Sequence, residues 1–291
     1  MYRGVYTALV TPFKSDGSVD EVALRNLVDA QIAGGVQGIV PVGTTGESPT
    51  VTHKENIQIV GIVIDQAAGR VPVIAGTGSN NTQEAIDMTT QAKELGAAAS
   101  LQVAPYYNKP NQEGLYLHFW TLAEKVDLPL IVYNIPGRSS VNIETSTLME
   151  LANHRNIVGV KEASGNISQM MDVLSQRPAN FSVLSGDDNL VFPLIALGGD
   201  GVISVASNII PGEMSQFVNT CLDGKWDEAR CQHYALLPLF RAMFFDTNPL
   251  PIKYALSLTG VMEAHYRLPM IVPKEEIRQK IHQVLIDQGI L

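Results

Sequence analysis

The stretch Ile157-Val158-Gly159-Val160-Lys161-Glu162-Ala163-Ser164 decides how this chain reads. Its first five residues have the character of a short buried strand, and that strand ends on a lysine. Glu162 offers no pairing, because neighbours on a strand point to opposite faces. An ammonium buried without a partner is costly, so Lys161 makes little sense as a purely structural residue. The same alternation puts Gly159 on the Lys161 face, where the missing side chain is expected to leave room beside the lysine stem.

Similar short apolar runs recur on both sides of this stretch. Strands are predicted at Val5–Val10, Gly38–Val42, Val71–Ala75, Ala99–Ala104, Leu128–Tyr133, Ile157–Lys161, Phe181–Leu184 and Gly201–Ser204. Helical patterns fill the gaps between them. One is Val22, Leu24, Leu27, Val28 and Ile32 behind an Asp20 cap; another is His53–Ala67 behind Thr52. Strand–helix alternation implies right-handed parallel crossovers. Eight such units without a dinucleotide fingerprint favour a closed (β/α)8 TIM barrel over a doubly wound sheet. After Pro211 the alternation stops, and Glu213–Leu222, Asp227–Phe244, Pro251–Leu258 and Glu275–Asp287 read as helices. The expected fold class is therefore α/β, a barrel over residues 1–224 with an all-helical C-terminal region over 225–291.

Composition agrees with that reading. Of the 291 residues, 45% are hydrophobic and only 17% charged, which supplies ample core and hints at surface covered by another subunit. The net charge of −9 comes without any Lys/Arg run, which argues against a nucleic-acid or membrane-surface partner. Cys221 and Cys231, the only two cysteines, suggest neither a disulfide framework nor a zinc ribbon. The start of the chain shows no charged leader, and no apolar run approaches a membrane span, so a cytoplasmic location is expected. The six histidines lack metal-ligand spacing. Asp187-Asp188 precedes a helix and reads as an N-cap rather than a metal site. No Walker loop, no Gly-x-Ser-x-Gly elbow and no complete nucleotide fingerprint is present, so neither cofactor nor metal is indicated.

In a closed α/β barrel, chemistry gathers at the C-terminal strand ends. There stand Thr44 and Thr45, Tyr106 and Tyr107, Tyr133, Arg138, Lys161, Gly186 and Ile203. A free lysine has a pKa of about 10.4, so at neutral pH it is almost wholly ammonium. Desolvation frees the amine to attack a carbonyl, and lowering the pKa by about three units corresponds to roughly 4 kcal/mol. Lys161 is thus a candidate nucleophile. Tyr133 would lie beside it, with a hydroxyl able to shuttle protons, although buried tyrosines are as often plain core residues. A relay partner is available in Thr44 and in one of the two tyrosines Tyr106 and Tyr107. Arg138 suits bidentate carboxylate recognition, against the commoner solvated loop arginine. Gly43-Thr44-Thr45-Gly46-Glu47 offers N–H groups and two hydroxyls to a small anion, a weak signal by itself.

Several strand-end motifs together resemble the dihydrodipicolinate synthases, a branch of the pyruvate-dependent class I aldolases that also contains the sialic-acid lyases. They are Val42-Gly43-Thr44-Thr45-Gly46-Glu47-Ser48, Ala75-Gly76-Thr77-Gly78, Pro105-Tyr106-Tyr107-Asn108, Tyr133-Asn134-Ile135-Pro136-Gly137-Arg138, Gly159-Val160-Lys161-Glu162-Ala163, Ser185-Gly186-Asp187-Asp188 and Asn248-Pro249-Leu250-Pro251-Ile252-Lys253. The resemblance implies a lysine-biosynthesis lyase in which Lys161 forms an imine with pyruvate. The derived enamine would then attack L-aspartate 4-semialdehyde. It assigns Tyr133, Thr44 and Tyr107 to a proton relay, with Tyr107 reaching in from a neighbouring subunit. It gives Thr45 the pyruvate carboxylate, Arg138 the semialdehyde carboxylate, and Gly186 and Ile203 backbone carbonyls near the lysine. A homotetramer built from tight dimers is implied as well. So is an L-lysine inhibitor site at Ser48, Pro49, His53, Asn80, Glu84 and Tyr106. Asn56 and Pro49 stand where sensitive members often carry histidine and alanine, which points to weakened lysine binding. A sugar-acid aldolase such as N-acetylneuraminate lyase is the second enzyme reading. A non-catalytic small-molecule sensor is the reading from another class.

Overall fold

The computed structural model describes all residues from Met1 to Leu291. Eight strands alternate with helices: β1 Gly4–Ala8, β2 Gly38–Val40, β3 Ile74–Gly76, β4 Ala99–Val103, β5 Leu130–Asn134, β6 Ile157–Glu162, β7 Ser182–Ser185 and β8 Gly201–Ser204. The helices up to the last strand are α1 Glu21–Ala33, α2 His53–Ala67, α3 Thr82–Glu94, α4 Gln112–Lys125, α5 Pro136–Ser139, α6 Thr145–Leu151, α7 Ile167–Gln176 and α8 Val191–Ala196. After β8 follow α9 Pro211–Leu222, α10 Trp226–Ala242, α11 Leu250–Leu258 and α12 Glu275–Asp287.

All strand pairs are parallel, in the order β2-β1-β8-β7-β6-β5-β4-β3. A bridge between Ile39 and Val73 joins the two ends of that order, and Gly76 N–H donates to Pro41 O across the same seam. The result is a TIM barrel with its helices outside and a C-terminal helical extension. No helix is long and apolar enough to cross a membrane.

Local chemistry sets the element ends. Asp20 accepts from Ala23 N–H and caps α1, and Thr52 with Glu55 forms a reciprocal capping box on α2. β3 starts later than the apolar pattern suggests, because Pro72 has no N–H for a ladder. Its carbonyl still accepts from Ile39 N–H.

Two expectations need correction. The helix expected after Asp187-Asp188 is not continuous: a 3-10 turn over Asp188–Leu190 leads into the short α8. Asp188 does not cap it either. Its buried carboxylate leaves its own helix and accepts from Val205 N–H at 3.1 Å and Ala206 N–H at 2.8 Å, tying the β7 loop to the β8 loop.

Side chains fill three clusters. One lies inside the barrel and includes Tyr6, Ala8, Val40, Leu101, Ile131, Tyr133, Leu184 and Ile203. A second packs β5–β7 against α4, α6 and α7. The third packs β1, β2 and β8 against α1, α2 and α9, and it also takes in Leu239 and Phe240 of α10, Ile252, Ala255 and Leu256 of α11, and Ile281 and Leu285 of α12. The C-terminal helices therefore share their core with one side of the barrel.

The Asp188 bridge makes a stability prediction. Asp188→Ala leaves two buried N–H groups unpaired and is expected to cost about 2–4 kcal/mol in denaturant unfolding. Asp188→Asn keeps an acceptor and is expected to cost less than half as much as the alanine.

Candidate active site

Lys161 is the fifth residue of β6 and stands in register with Tyr133 of β5 and Leu184 of β7. Its side chain is buried, with Nζ 4.3 Å from the centre of the Tyr133 ring. Burial is the main cause that lowers its pKa, to about 8. The charges of Asp187 and Asp188 oppose that shift, and Arg138 adds to it. At neutral pH a useful fraction of such an amine is unprotonated, which is what attack on a carbonyl requires.

The space beside the lysine stem is not made by Gly159. A side chain there would run into the backbone of Ser182 on β7. Gly186 makes it instead: a Cβ at that position would lie 3.1 Å from Lys161 Cε and collide with Ala163. Gly186 is held there by its N–H, which donates to Glu162 O at 2.7 Å.

β6 and β5 carry a second matched pair on their outer faces. Glu162 stands in register with Asn134, and Asn134 Nδ2 donates to Glu162 Oε2 at 3.2 Å. Ser164 N–H donates to the other carboxylate oxygen at 2.6 Å. Lys161 and Tyr133 thus face the barrel while Glu162 and Asn134 bond behind them.

Tyr133 is buried, and burial raises its phenol pKa. The Thr44 hydroxyl and the Arg138 charge work in the opposite direction. Thr44 and Tyr133 line one small cavity together with Val42, Gly43, Ser48 and Val103. Next to it, a cleft of about 220 Å³ is lined by Thr44, Ser48, Pro49, Tyr106, Ile135 and Arg138, among others. Arg138 lies on α5, in a turn of helix absent from the sequence expectation, and its guanidinium is exposed at the mouth.

The turn after β2 is more selective than its composition suggests. Gly46 and Ser48 N–H both donate to Gly43 O, and Glu47 N–H donates to Thr44 O. Those three donors are spent within the turn, while the N–H groups of Thr44 and Thr45 make no protein hydrogen bond. The Thr45 hydroxyl accepts from Asn248 Nδ2 at 3.0 Å and keeps its own proton to donate.

Not every expected residue converges. Ile203 enters the barrel interior in the same apolar cluster as Tyr133. Tyr107, in a left-handed backbone conformation at φ 72, is 90% exposed. His53, Asn80, Glu84 and Tyr106 gather outside the mouth. His53 Nε2 is 3.8 Å from Glu84 Oε2, and Ser79 Oγ donates to that same oxygen. Asn80 Nδ2 donates to Tyr106 O at 3.1 Å. Burial and the Glu84 charge raise the Tyr106 phenol. Asn56 turns inward and donates to Gly76 O at 3.1 Å. Ser48, Pro49 and Tyr106 share the cleft with Thr44 and Arg138.

Asn248 was missed as a site residue. Its side chain reaches Thr45 while its carbonyl accepts from Arg138 at 3.1 Å, so it joins the turn after β2 to α5. Lys253, also missed, is fully buried and paired with Glu47. Its signal was available: a lysine among Ile252, Ala255 and Leu256 breaks an apolar helix face as Lys161 breaks an apolar strand.

A parallel barrel with an unpaired buried amine at one strand end and hydroxyls around it defines a class of protein, the lysine-dependent lyases that work through a Schiff base. The chain belongs to the dihydrodipicolinate synthetase family, whose profile matches residues 1–288. It is 50% identical to the 4-hydroxy-tetrahydrodipicolinate synthase of Syntrophus aciditrophicus over 291 residues, the whole of both chains. Two solved relatives cover the chain completely. A dihydrodipicolinate synthase from Acinetobacter baumannii, complexed with pyruvate, is 41% identical with a TM-score of 0.98, and all of that chain is covered. One from Cyanidioschyzon merolae, with lysine bound, is 41% identical with a TM-score of 0.97, and 99% of that chain is covered.

The depressed lysine carries a stability prediction. A folded pKa of about 8 against the ordinary 10.5 corresponds to a penalty of about 3 kcal/mol. The unfolded chain binds more protons between those values, so the penalty is complete below about pH 8 and is relieved as pH rises toward 10.5. Lys161→Met is expected to unfold at higher denaturant than the wild type at pH 7, with the gap closing by about pH 10.5.

Proposed function

We propose that this chain acts as a 4-hydroxy-tetrahydrodipicolinate synthase, condensing pyruvate with L-aspartate 4-semialdehyde in lysine biosynthesis. The observation that carries the proposal is the amine of Lys161, buried without a counter-ion against the ring of Tyr133.

The free amine adds to the keto carbon of pyruvate, and loss of water gives the imine. A proton leaves the pyruvate methyl carbon, producing an enamine. That carbon attacks the semialdehyde aldehyde, whose oxygen takes up a proton. The amine of the second substrate then displaces Lys161 and closes the ring, which returns the lysine. Tyr133 and Thr44 carry protons in these steps, completed by Tyr107 of the partner subunit. The full exposure of Tyr107 suits a residue that serves a neighbour's barrel. The pyruvate carboxylate sits on the free N–H groups of Thr44 and Thr45 and on the Thr45 hydroxyl. Arg138, fixed by the Asn248 carbonyl, receives the carboxylate of the second substrate. Gly186 and Ile203 contribute backbone carbonyls near the lysine. The assembly is a homotetramer of tight dimers. It works in the cytoplasm, where the free thiols Cys221 and Cys231 remain reduced.

L-Lysine is proposed to bind at Ser48, Pro49, His53, Asn80, Glu84 and Tyr106, with its ammonium on Glu84. Ser48, Pro49 and Tyr106 line the cleft that also holds Thr44 and Arg138, so an occupant there stands next to the reaction path.

Pyruvate with borohydride should leave a reduced pyruvyl mass on the Lys161 peptide, and aspartate semialdehyde rather than N-acetylneuraminate should be turned over. An unlabelled peptide would falsify the Schiff-base reading. Titration with millimolar L-lysine should release heat that Glu84→Ala abolishes, while absence of both heat and inhibition in the wild type removes the regulatory site.

A further inference from the structure

Three side chains from the C-terminal part of the chain fasten the segment between Thr45 and Glu55. Asn248 donates to Thr45 Oγ1 at 3.0 Å. Lys253 of α11 pairs with Glu47, and both side chains have 0% exposure. Arg267 holds Glu55 through two hydrogen bonds, 2.7 Å and 3.0 Å, and donates to Thr50 O at 3.1 Å. Lys253 Nζ also sits 4.3 Å from the Phe13 ring centre and 5.1 Å from that of Tyr266.

The Lys253–Glu47 pair is the most secluded ion pair in the molecule, and it ends on a strained turn. Val42 opens that turn at φ 53 and Glu47 closes it at φ 55. A β-branched residue rarely accepts the left-handed region. Such a conformation persists only where its surroundings over-determine it. Gly46 and Gly76 press on the Val42 backbone so closely that neither position has space for a Cβ. Between the two strained residues lie the free N–H groups of Thr44 and Thr45.

Packing alone does not explain a buried ion pair here. An apolar pair of similar size holds two elements together as well or better, whereas charges fix a direction and a distance.

We propose that the Lys253–Glu47 ion pair is a positioning device for keto-acid recognition. From outside the barrel it clamps the Val42–Glu47 turn in the one shape that aims the Thr44 and Thr45 donors at a carboxylate. The C-terminal helices then take part in substrate affinity although none of them carries the nucleophile. This rests on the reading that pyruvate is bound at that turn and trapped on Lys161.

The test separates stability from affinity. The double variant Glu47→Leu/Lys253→Met removes both charges and leaves none stranded. Its melting temperature and the pyruvate dependence of borohydride trapping at Lys161 are measured on the full-length protein. The expected result is near-normal melting and full labelling at saturating pyruvate. The half-saturating pyruvate concentration should rise at least about tenfold, the effect of misaligning one charge-assisted hydrogen bond. Glu47→Asp, which keeps the pair, should recover most of that loss. Normal melting with unchanged half-saturation in the double variant overturns the proposal. If the double variant does not fold, Glu47→Gln carries the same test: it keeps the size and one hydrogen bond but not the charge, and an unchanged half-saturation is again fatal. An unlabelled wild type would instead remove the pyruvate reading itself.

Discussion

The structure is arranged around one amine kept out of water without a counter-ion. The barrel interior supplies Tyr133, Leu184, Ala163 and Ile203 as low-polarity walls. The acids that face it, Asp187 and Asp188, are themselves pushed toward the neutral form by burial. Asp188 is further engaged by two backbone N–H groups, which commit its carboxylate to the β7–β8 connection. A carboxylate at contact distance would return Lys161 to an ordinary ammonium, and the reason for burying it would vanish.

Much of this was legible in the sequence. Eight alternating units define the barrel because each strand must cover an apolar face with the helix that follows it. Lys161, Tyr133, Thr44 and Arg138 could be placed at one end of the barrel because its topology gives strand ends a common face. What escaped depends on distances between remote segments. Gly159 and Gly186 are equally plausible partners for a lysine stem in one dimension; only the close approach of the Ser182 backbone to Gly159 decides between them. Asp188 looks like a cap because capping is a local rule, whereas the N–H groups that donate to it lie on the next strand loop. Asn248 carries no local oddity, since an asparagine before a proline is ordinary in any loop.

The expected division at residue 225 lies a helix beyond Pro211, where the alternation stops. The shared core of α10–α12 with β1, α1 and α2 makes that boundary topological rather than energetic. Burial of Leu239, Phe240, Ile252 and Leu285 in the same cluster as Val5 and Leu27 means that neither part completes its apolar surface alone. This also places Asn248, Lys253 and Arg267 where they can reach the loops above the barrel.

The matched pairs on β5 and β6 have a consequence for how the barrel closes. Tyr133 and Lys161 face inward while Asn134 and Glu162 bond behind them. Because strand side chains alternate, slipping β6 by one residue would exchange the faces of its whole sequence. Glu162 would enter the apolar interior as a bare carboxylate, and Lys161 would be stranded among the helices without the Asn134 and Ser164 donors being of any use to it. Two adjacent charges of opposite sign thus make the wrong pairing far worse than a merely hydrophobic mismatch. The residue placed there for chemistry also acts as a checksum on assembly.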